Sequence, residues 1–195
     1  MRRMRIPKRV KRQLFTLALA LAVAGATLLS QKMGWIEPAA VVPSHVQPGL
    51  YRITNFADGD TIEVDMNGTR ETIRFIGVDT PETQDPRTSV QCFGRVASEF
   101  TKSLIGSSDV RLEADPTNTN RDRYNRLLRY VYLPDGRLVN AEIIKQGYGF
   151  AYTLFPFEKL EEFRTYEQQA REQNLGLWGS CQIQQDGDKK TTNPA

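Results

Sequence analysis

The pattern of apolar and polar positions divides the chain into four stretches. Residues 14–30 form one apolar run of 17 residues, preceded by a basic segment from Arg2 to Arg12. Residues 35–49 carry Pro38, Pro43, Pro48 and Gly49 and read as a linker. Residues 50–181 alternate short apolar runs with turn residues, as a folded domain does. Residues 182–195 are polar, with Lys189, Lys190 and Pro194, and are expected to form a disordered tail.

Within 50–181 the order of elements is strands, a helix, strands, then helices. Residues 50–57 and 61–66 are rich in β-branched residues and predict strands. Asn67-Gly68 predicts a hairpin turn, because both central positions of a type I′ turn need positive φ. A third strand is expected over 69–78. Phe93, Ala97, Phe100 and Leu104 recur at helical spacing, with Gly106 placed to end the helix. Strands follow at 110–114 and 127–133. A short helix is expected at 140–146, capped by Asn140 and stopped by Gly147, and a longer one at 158–174. Five short strands with a helix inserted after the third predict an α+β domain built on a five-stranded OB-fold barrel. Its length of about 130 residues suffices to bury one core.

Charge changes this picture at both ends. The 195 residues hold 26 Lys+Arg against 23 Asp+Glu, a net +3. Eight of the cations and none of the acids lie in residues 1–34, so residues 35–195 are net −5. A basic segment followed by an apolar run is the layout of a secretory signal peptide, with small-residue patterns at Ala22-Val23-Ala24 and Ala24-Gly25-Ala26. An uncleaved membrane anchor through residues 14–30 fits the same segment. Both readings place the domain outside the cytoplasm, secreted, periplasmic or facing outward from the inner membrane. One His and two Cys exclude zinc fingers and His-rich metal centres. A Ser-His-Asp hydrolase would need His45, which lies in the linker.

Three charged clusters carry the candidate chemistry. Asp58-Gly59-Asp60-Thr61 is either a plain turn or two carboxylates offering hard oxygens to a divalent cation. Arg74 interrupts an apolar strand, and a buried guanidinium without an anion is very costly. Its partner is either a structural carboxylate or a bound phosphate, which the planar fork of Arg matches. Asp79 and Glu82 follow, with Pro81 stiffening the turn. Asp122-Arg123-Tyr124-Asn125-Arg126 is either a solvated loop or a set of cations beside a phenol for a phosphodiester. Tyr152 and Phe155 are either core or stacking surfaces for bases. Together the clusters supply acids for a cation, arginines for a phosphate and a carboxylate for proton work. Phosphodiester hydrolysis needs that set.

At these residues the chain resembles the staphylococcal nuclease family. The matching pieces are Asp58-Gly59-Asp60-Thr61-Ile62, the run from Ile73 through Arg74 and Asp79-Thr80-Pro81 to Glu82, Phe93-Gly94, Asp122 to Leu127, Asp135-Gly136 with Val139-Asn140, and Leu177-Trp178. The resemblance implies an OB barrel with three helices and a Ca²⁺-dependent nuclease acting on DNA and RNA, preferring single strands and leaving 3′-phosphates. It implies Asp60, Asp79 and the Thr80 carbonyl as metal ligands, with Asp58 acting through water. It implies Arg74 and Arg126 on the scissile phosphate and Glu82 on the attacking water. Arg123 and Tyr124 would touch a neighbouring phosphate, and Tyr152 would stack near a base. Asn125 stands where the family usually has Gly, and Leu154 where the prototype has a second stacking Tyr. A non-catalytic binding module on the same fold is the alternative. A monomer is expected.

The prototype lacks the two cysteines. In an exported domain two cysteines usually pair, so a Cys92–Cys181 disulfide is expected. It would tie the chain's end to the first helix.

Overall fold

The computed structural model describes residues 46–83 and 89–195. The expected signal or anchor over 1–34 and most of the expected linker lie outside the described residues. Among the described residues no helix is long and apolar enough to cross a membrane.

Strands β1 (Val46–Asp58), β2 (Thr61–Met66) and β3 (Thr69–Phe75) form an antiparallel meander. β5 (Val110–Glu113) and β6 (Leu127–Tyr132) complete a closed barrel in the order β1-β2-β3-β6-β5. The β3–β6 pair is parallel, with Arg74 beside Leu128. β1 is long enough to pair with β2 at one end and β5 at the other, and its register shifts let it bend between them. It starts at Val46, four residues before the expected domain boundary, because Val46 pairs with Glu113 of β5. Asn67 and Gly68 both adopt positive φ in the β2–β3 turn, as their sequence requires.

The expected third strand breaks at Ile76-Gly77. Gly77 has φ 70°, and a Cβ there would meet the rings of Phe157 and Phe163 at 2.6–2.9 Å. The chain leaves the barrel at this turn and forms β4 (Val78–Asp79), which pairs with β7 (Phe150–Ala151). Helices α1 (Gly94–Ile105), α2 (Val139–Lys145) and α3 (Leu160–Glu172) flank the barrel, followed by the short α4 (Leu177–Ser180). The fold is thus the expected α+β barrel with three helices. Its core joins Ile62, Val64, Ile73, Phe75, Leu112 and Val131 of the barrel to Ile143, Ile144 and Phe163 of the helices. Burying one such side chain contributes about 1.5–3 kcal/mol.

Asn140 does not cap its helix. The cap residue is Leu138, and Asn140 is fully buried one position inside α2. Its Oδ1 accepts the Val131 N–H at 2.9 Å, and its Nδ2 donates to the carbonyls of Ile76 (2.9 Å) and Arg129 (3.3 Å). One amide thereby joins α2, β6 and the turn that delivers β4.

Residues 182–195 are ordered rather than a disordered tail. β8 (Ile183–Asp186) and β9 (Lys189–Thr192) form a hairpin through Gly187 at φ 58°. A polar sequence cannot fold on a core of its own, but this one is held by the domain. The Cys92–Cys181 disulfide anchors its start. Lys190 pairs with Glu167 of α3 at 2.7 Å, both side chains largely covered. Thr192 is buried, and its hydroxyl donates to the Cys92 carbonyl at 2.8 Å.

The Asn140 crosslink gives a stability test. Asn140→Ala leaves a buried N–H and a buried carbonyl without their partner and is expected to lower unfolding free energy by about 2–5 kcal/mol. Urea denaturation measures it; a loss below about 0.5 kcal/mol, the size of a surface change, would contradict the structural role.

Candidate active site

The site grows from the open end of the barrel, where the β1–β2 turn meets the β3–β4 exit. Gly59 sits at the centre of the first turn. A Cβ on it would stand 2.8–3.0 Å from the Thr80 side chain, so only glycine permits the approach of the two segments. The turn is fixed from below by Thr101 of α1, whose buried hydroxyl donates to the Gly59 carbonyl at 2.6 Å.

Arg74, opposite Thr61 across the β2–β3 ladder, is the centre of the cluster. Its Nη1 lies 3.0 Å from Asp60 Oδ2 and donates to the Val78 carbonyl at 2.6 Å. Its Nη2 donates to Asp79 Oδ1 at 3.0 Å. The side chain is 14% exposed. Both carboxylates hold its pKa above the ordinary guanidinium value against the opposing effect of burial. The anion that the buried Arg74 requires is therefore a pair of carboxylates.

Asp60 accepts three hydrogen bonds besides the ion pair. Thr80 donates its N–H (3.0 Å) and hydroxyl (3.2 Å) to Oδ2, and Thr61 donates its hydroxyl to Oδ1 at 2.9 Å. Asp79 is pushed up to about 6 by burial, with Asp60 adding to the rise and Arg74 opposing it. Asp58 is likewise pushed up to about 6, first by burial and then by the charge of Asp60. Asp58 Oδ1 accepts the Gly59 N–H at 2.8 Å and the Thr83 hydroxyl at 3.0 Å. Glu82 joins the group through Thr83, whose N–H donates to Glu82 Oε1 at 2.9 Å. Its charge is felt at both Asp58 and Asp79. The structure thus brings together Asp58, Asp60, Arg74, Asp79, Thr80 and Glu82.

Arg123, Tyr124 and Arg126 form a second cluster on the loop before β6. Arg126 immediately precedes Leu127, the residue beside Ile73, so it enters from the strand paired with the one carrying Arg74. Its Nε and Nη2 both reach Asp122 Oδ2 at 2.7 Å. Asp122 also accepts the N–H groups of Tyr124 and Arg126 at 2.9 Å. Asn125 takes φ 66°, the left-handed conformation for which a glycine is usual. Tyr124 is 61% exposed, with the Arg123 and Arg126 guanidinium groups 4.8 and 5.3 Å from its ring centre. Tyr152 follows β7, and its N–H donates to the Gly77 carbonyl at 2.9 Å. Burial and the charge of Asp79 raise its phenol, while Arg74 and Arg123 oppose the rise. The exposed Leu154 and Phe155 lie beside it.

Several residues that organise the site escape motif reasoning. Asp122 shapes the arginine loop. Arg121 pairs with Glu71 of β3 through two bonds of 2.8 and 2.9 Å, and buried Arg129 donates to Asn120 Oδ1 at 2.7 Å, so the loop is clamped to both strands. Gln91 bonds both peptide groups of Glu82 (N–H to Oε1 at 2.9 Å, carbonyl from N–H at 3.0 Å). An Asp-x-x-x-Arg spacing was the only available signal, and it belongs to many surface loops.

Among the described residues no three acidic, His or Cys side chains form a ready-made metal cage. The groups that could hold an ion are two carboxylates, Asp60 and Asp79, whose oxygens reach the same guanidinium, and the backbone carbonyl of neighbouring Thr80. All are hard oxygen donors of the kind Ca²⁺ and Mg²⁺ take, with water and phosphate available to complete the shell. Carboxyls whose pKa is raised by burial and further by a neighbouring acid are also where a cation gives most relief. The residues present fit such an ion.

A family model described as staphylococcal nuclease homologue matches residues 72–180. A thermonuclease of Staphylococcus intermedius is 35% identical over 168 residues, covering 86% of this chain and 98% of its own. Endonuclease YncB of Bacillus subtilis is 43% identical over 123 residues, covering 62% of this chain and 57% of its own. The SPbeta prophage-derived endonuclease YokF of the same organism is 42% identical over 123 residues, covering 62% and 41%. The chain thus spans about half the length of the two Bacillus relatives.

The raised carboxyls predict the pH dependence of the chelated protein. A folded pKa above the unfolded value favours the folded state once the group is protonated, so that contribution is lost as pH rises through the folded value. Metal-free stability is expected to increase as pH falls from about 6, the folded value of Asp58 and Asp79, toward their ordinary carboxylate value of 3.8. Thermal melts of the wild type and of Asp58→Asn in chelator read this. A slope unchanged by the substitution would remove Asp58 as its source.

Proposed function

The chain belongs to the staphylococcal nuclease family, and on that premise we propose that it is a Ca²⁺-dependent nuclease hydrolysing phosphodiester bonds of DNA and RNA to 3′-phosphate products. The observation that carries this reading is the Arg74 guanidinium, held between Asp60 and Asp79 with Glu82 two residues beyond Thr80. The held guanidinium is pre-aimed, so it needs no reorganisation to meet a phosphate oxygen. Arg126 reaches the same phosphate by exchanging Asp122 for it. As water attacks phosphorus, negative charge grows on the equatorial oxygens, and the two arginines stabilise it there. Glu82 accepts the proton of the attacking water, and the 5′ oxygen leaves with a proton from solvent. Asp60, Asp79 and the Thr80 carbonyl would hold Ca²⁺, with Asp58 acting through water. When bound, the ion adds positive charge against the phosphate oxygens.

Arg123 and Tyr124 are assigned to a neighbouring phosphate, and Tyr152 to the face of a base. Single strands are the preferred substrate, because only unpaired bases offer free faces to such rings. The N-terminal charge and hydropathy pattern and the Cys92–Cys181 disulfide support export, with residues 14–30 as cleaved signal or retained anchor. The domain acts as a monomer.

Digestion of denatured DNA and of RNA tests the reading. Activity is expected in Ca²⁺ and lost in chelator, with phosphate found on the 3′ ends. Arg74→Lys is expected to lower turnover ~10²- to 10³-fold, as losing an oriented donor does. Glu82→Gln is expected to lower it ~10²- to 10⁴-fold. Activity that ignores chelation would remove the metal assignment. Saturable oligonucleotide binding without cleavage in Ca²⁺ would favour the binding module instead.

A further inference from the structure

The last residues of the described chain grip the loop that carries Glu82. The Cys92–Cys181 disulfide makes the first connection. The Asn193 carbonyl accepts the Cys92 N–H at 2.7 Å, and the Ala195 N–H donates to the Val90 carbonyl at 2.8 Å, with Pro194 opposite Gln91. Asn193 is itself braced by Gln182, through bonds of 2.8 and 3.0 Å. Residues 90–92 are therefore held covalently on one side and by a short backbone ladder along their length. The hairpin and this strap lie beyond the stretch matched by the family model.

From this strap to Glu82 the connection runs through Gln91, by its side chain and its backbone N–H. Gln91 Oε1 accepts the Glu82 N–H at 2.9 Å, and the Gln91 N–H donates to the Glu82 carbonyl at 3.0 Å. Gly94 packs under the same segment, where a Cβ would lie 3.0 Å from the Pro81 carbonyl and 3.1 Å from that of Glu82. By contrast, Arg74 is carried by β3, whose position is set by the barrel ladders, and Arg126 by the loop before β6, which Arg121 clamps to Glu71 and Arg129 to Asn120.

We propose that Gln91 is a positioning residue for Glu82, kept in place by the C-terminal strap and the Cys92–Cys181 bridge, so that turnover depends on the bridge being intact. The inference rests on the reading of Glu82 as acceptor of the water's proton. A general base works only within hydrogen-bond reach of its water, and a displacement of about 1 Å can lower the rate ~10²-fold. A dithiol reductant opens the bridge by thiol–disulfide exchange: two electrons and two protons pass to Cys92 and Cys181, and the reductant leaves as its own disulfide. The strap then keeps only its hydrogen bonds. Phosphate binding, set by β3 and the separately clamped arginine loop, stays as it was.

Two independent releases test this, assayed on a single-stranded oligonucleotide in Ca²⁺. Gln91→Met keeps the side chain's length without the acceptor oxygen, and dithiothreitol opens the bridge of the unaltered chain. Each is expected to lower kcat ~10- to 100-fold with KM within about twofold. Neither should lower the rate further in Glu82→Gln, because the residue they position is already disabled. Unchanged kcat in both releases, a raised KM with kcat intact, or a loss that persists undiminished in Glu82→Gln overturns the inference alone. Full activity of Glu82→Gln, seen without touching the strap, overturns the underlying reading and the inference with it.

Discussion

Arg74 is the charge around which the rest is arranged. A guanidinium at the rim of a closed barrel loses most of its water, and only anions at close range offset that cost. Asp60 of the β1–β2 turn and Asp79 of β4 meet the need, each 3.0 Å away. The same arrangement crowds the acids. Asp58 and Asp79 are pushed up to about 6, chiefly by burial and further by Asp60. One cation thus faces more carboxylate than it neutralises. Such a cluster is stable enough to fold and still has electrostatic room for a second positive charge.

The scaffold converts this balance into geometry. Gly59 and Gly77 are two places where a side chain would not fit: one lets the turn touch Thr80, the other turns the chain off the barrel beneath two phenylalanine rings. Asn140 then joins the Gly77 turn to β6 and α2 through a single buried amide. These are rigid attachments, made by core and ladder. The arginine loop is attached differently, by polar clamps from Arg121 to Glu71 and from Arg129 to Asn120. Its guanidinium at Arg126 rests on Asp122 at 2.7 Å.

The C-terminal hairpin shows how order arises without a core. Its residues are too polar to fold alone, yet a disulfide, one covered ion pair and a backbone ladder hold them to residues 90–92, just before α1, and to α3. Constraining the unfolded chain with a bridge between residues 89 apart contributes ~4–5 kcal/mol in the chain-entropy model. The hairpin therefore adds stability as a strap rather than as a second domain.

The order of strands and helices, the Asn67-Gly68 turn, the family resemblance and the Cys92–Cys181 pairing were all legible in the sequence. Each depends on local conformational preference, or on residue types whose spacing has few solutions. Motif order also pointed to Asp58, Asp60, Arg74, Asp79 and Glu82 as one group. The partners within that group were not legible. Asp60 bonds Thr80 from 20 positions away, and Arg121 meets Glu71 across 50, pairings that exist only once the barrel has closed. Asn140 read as a helix cap because capping is local, whereas its burial depends on three elements packing together. The tail read as disordered because composition reports whether a segment can make a core, not whether another part of the chain offers it an edge. The sequence by itself determined which chemical groups are present and in what order; tertiary structure decided which of them touch, because contacts between distant segments are set by packing and not by neighbours along the chain.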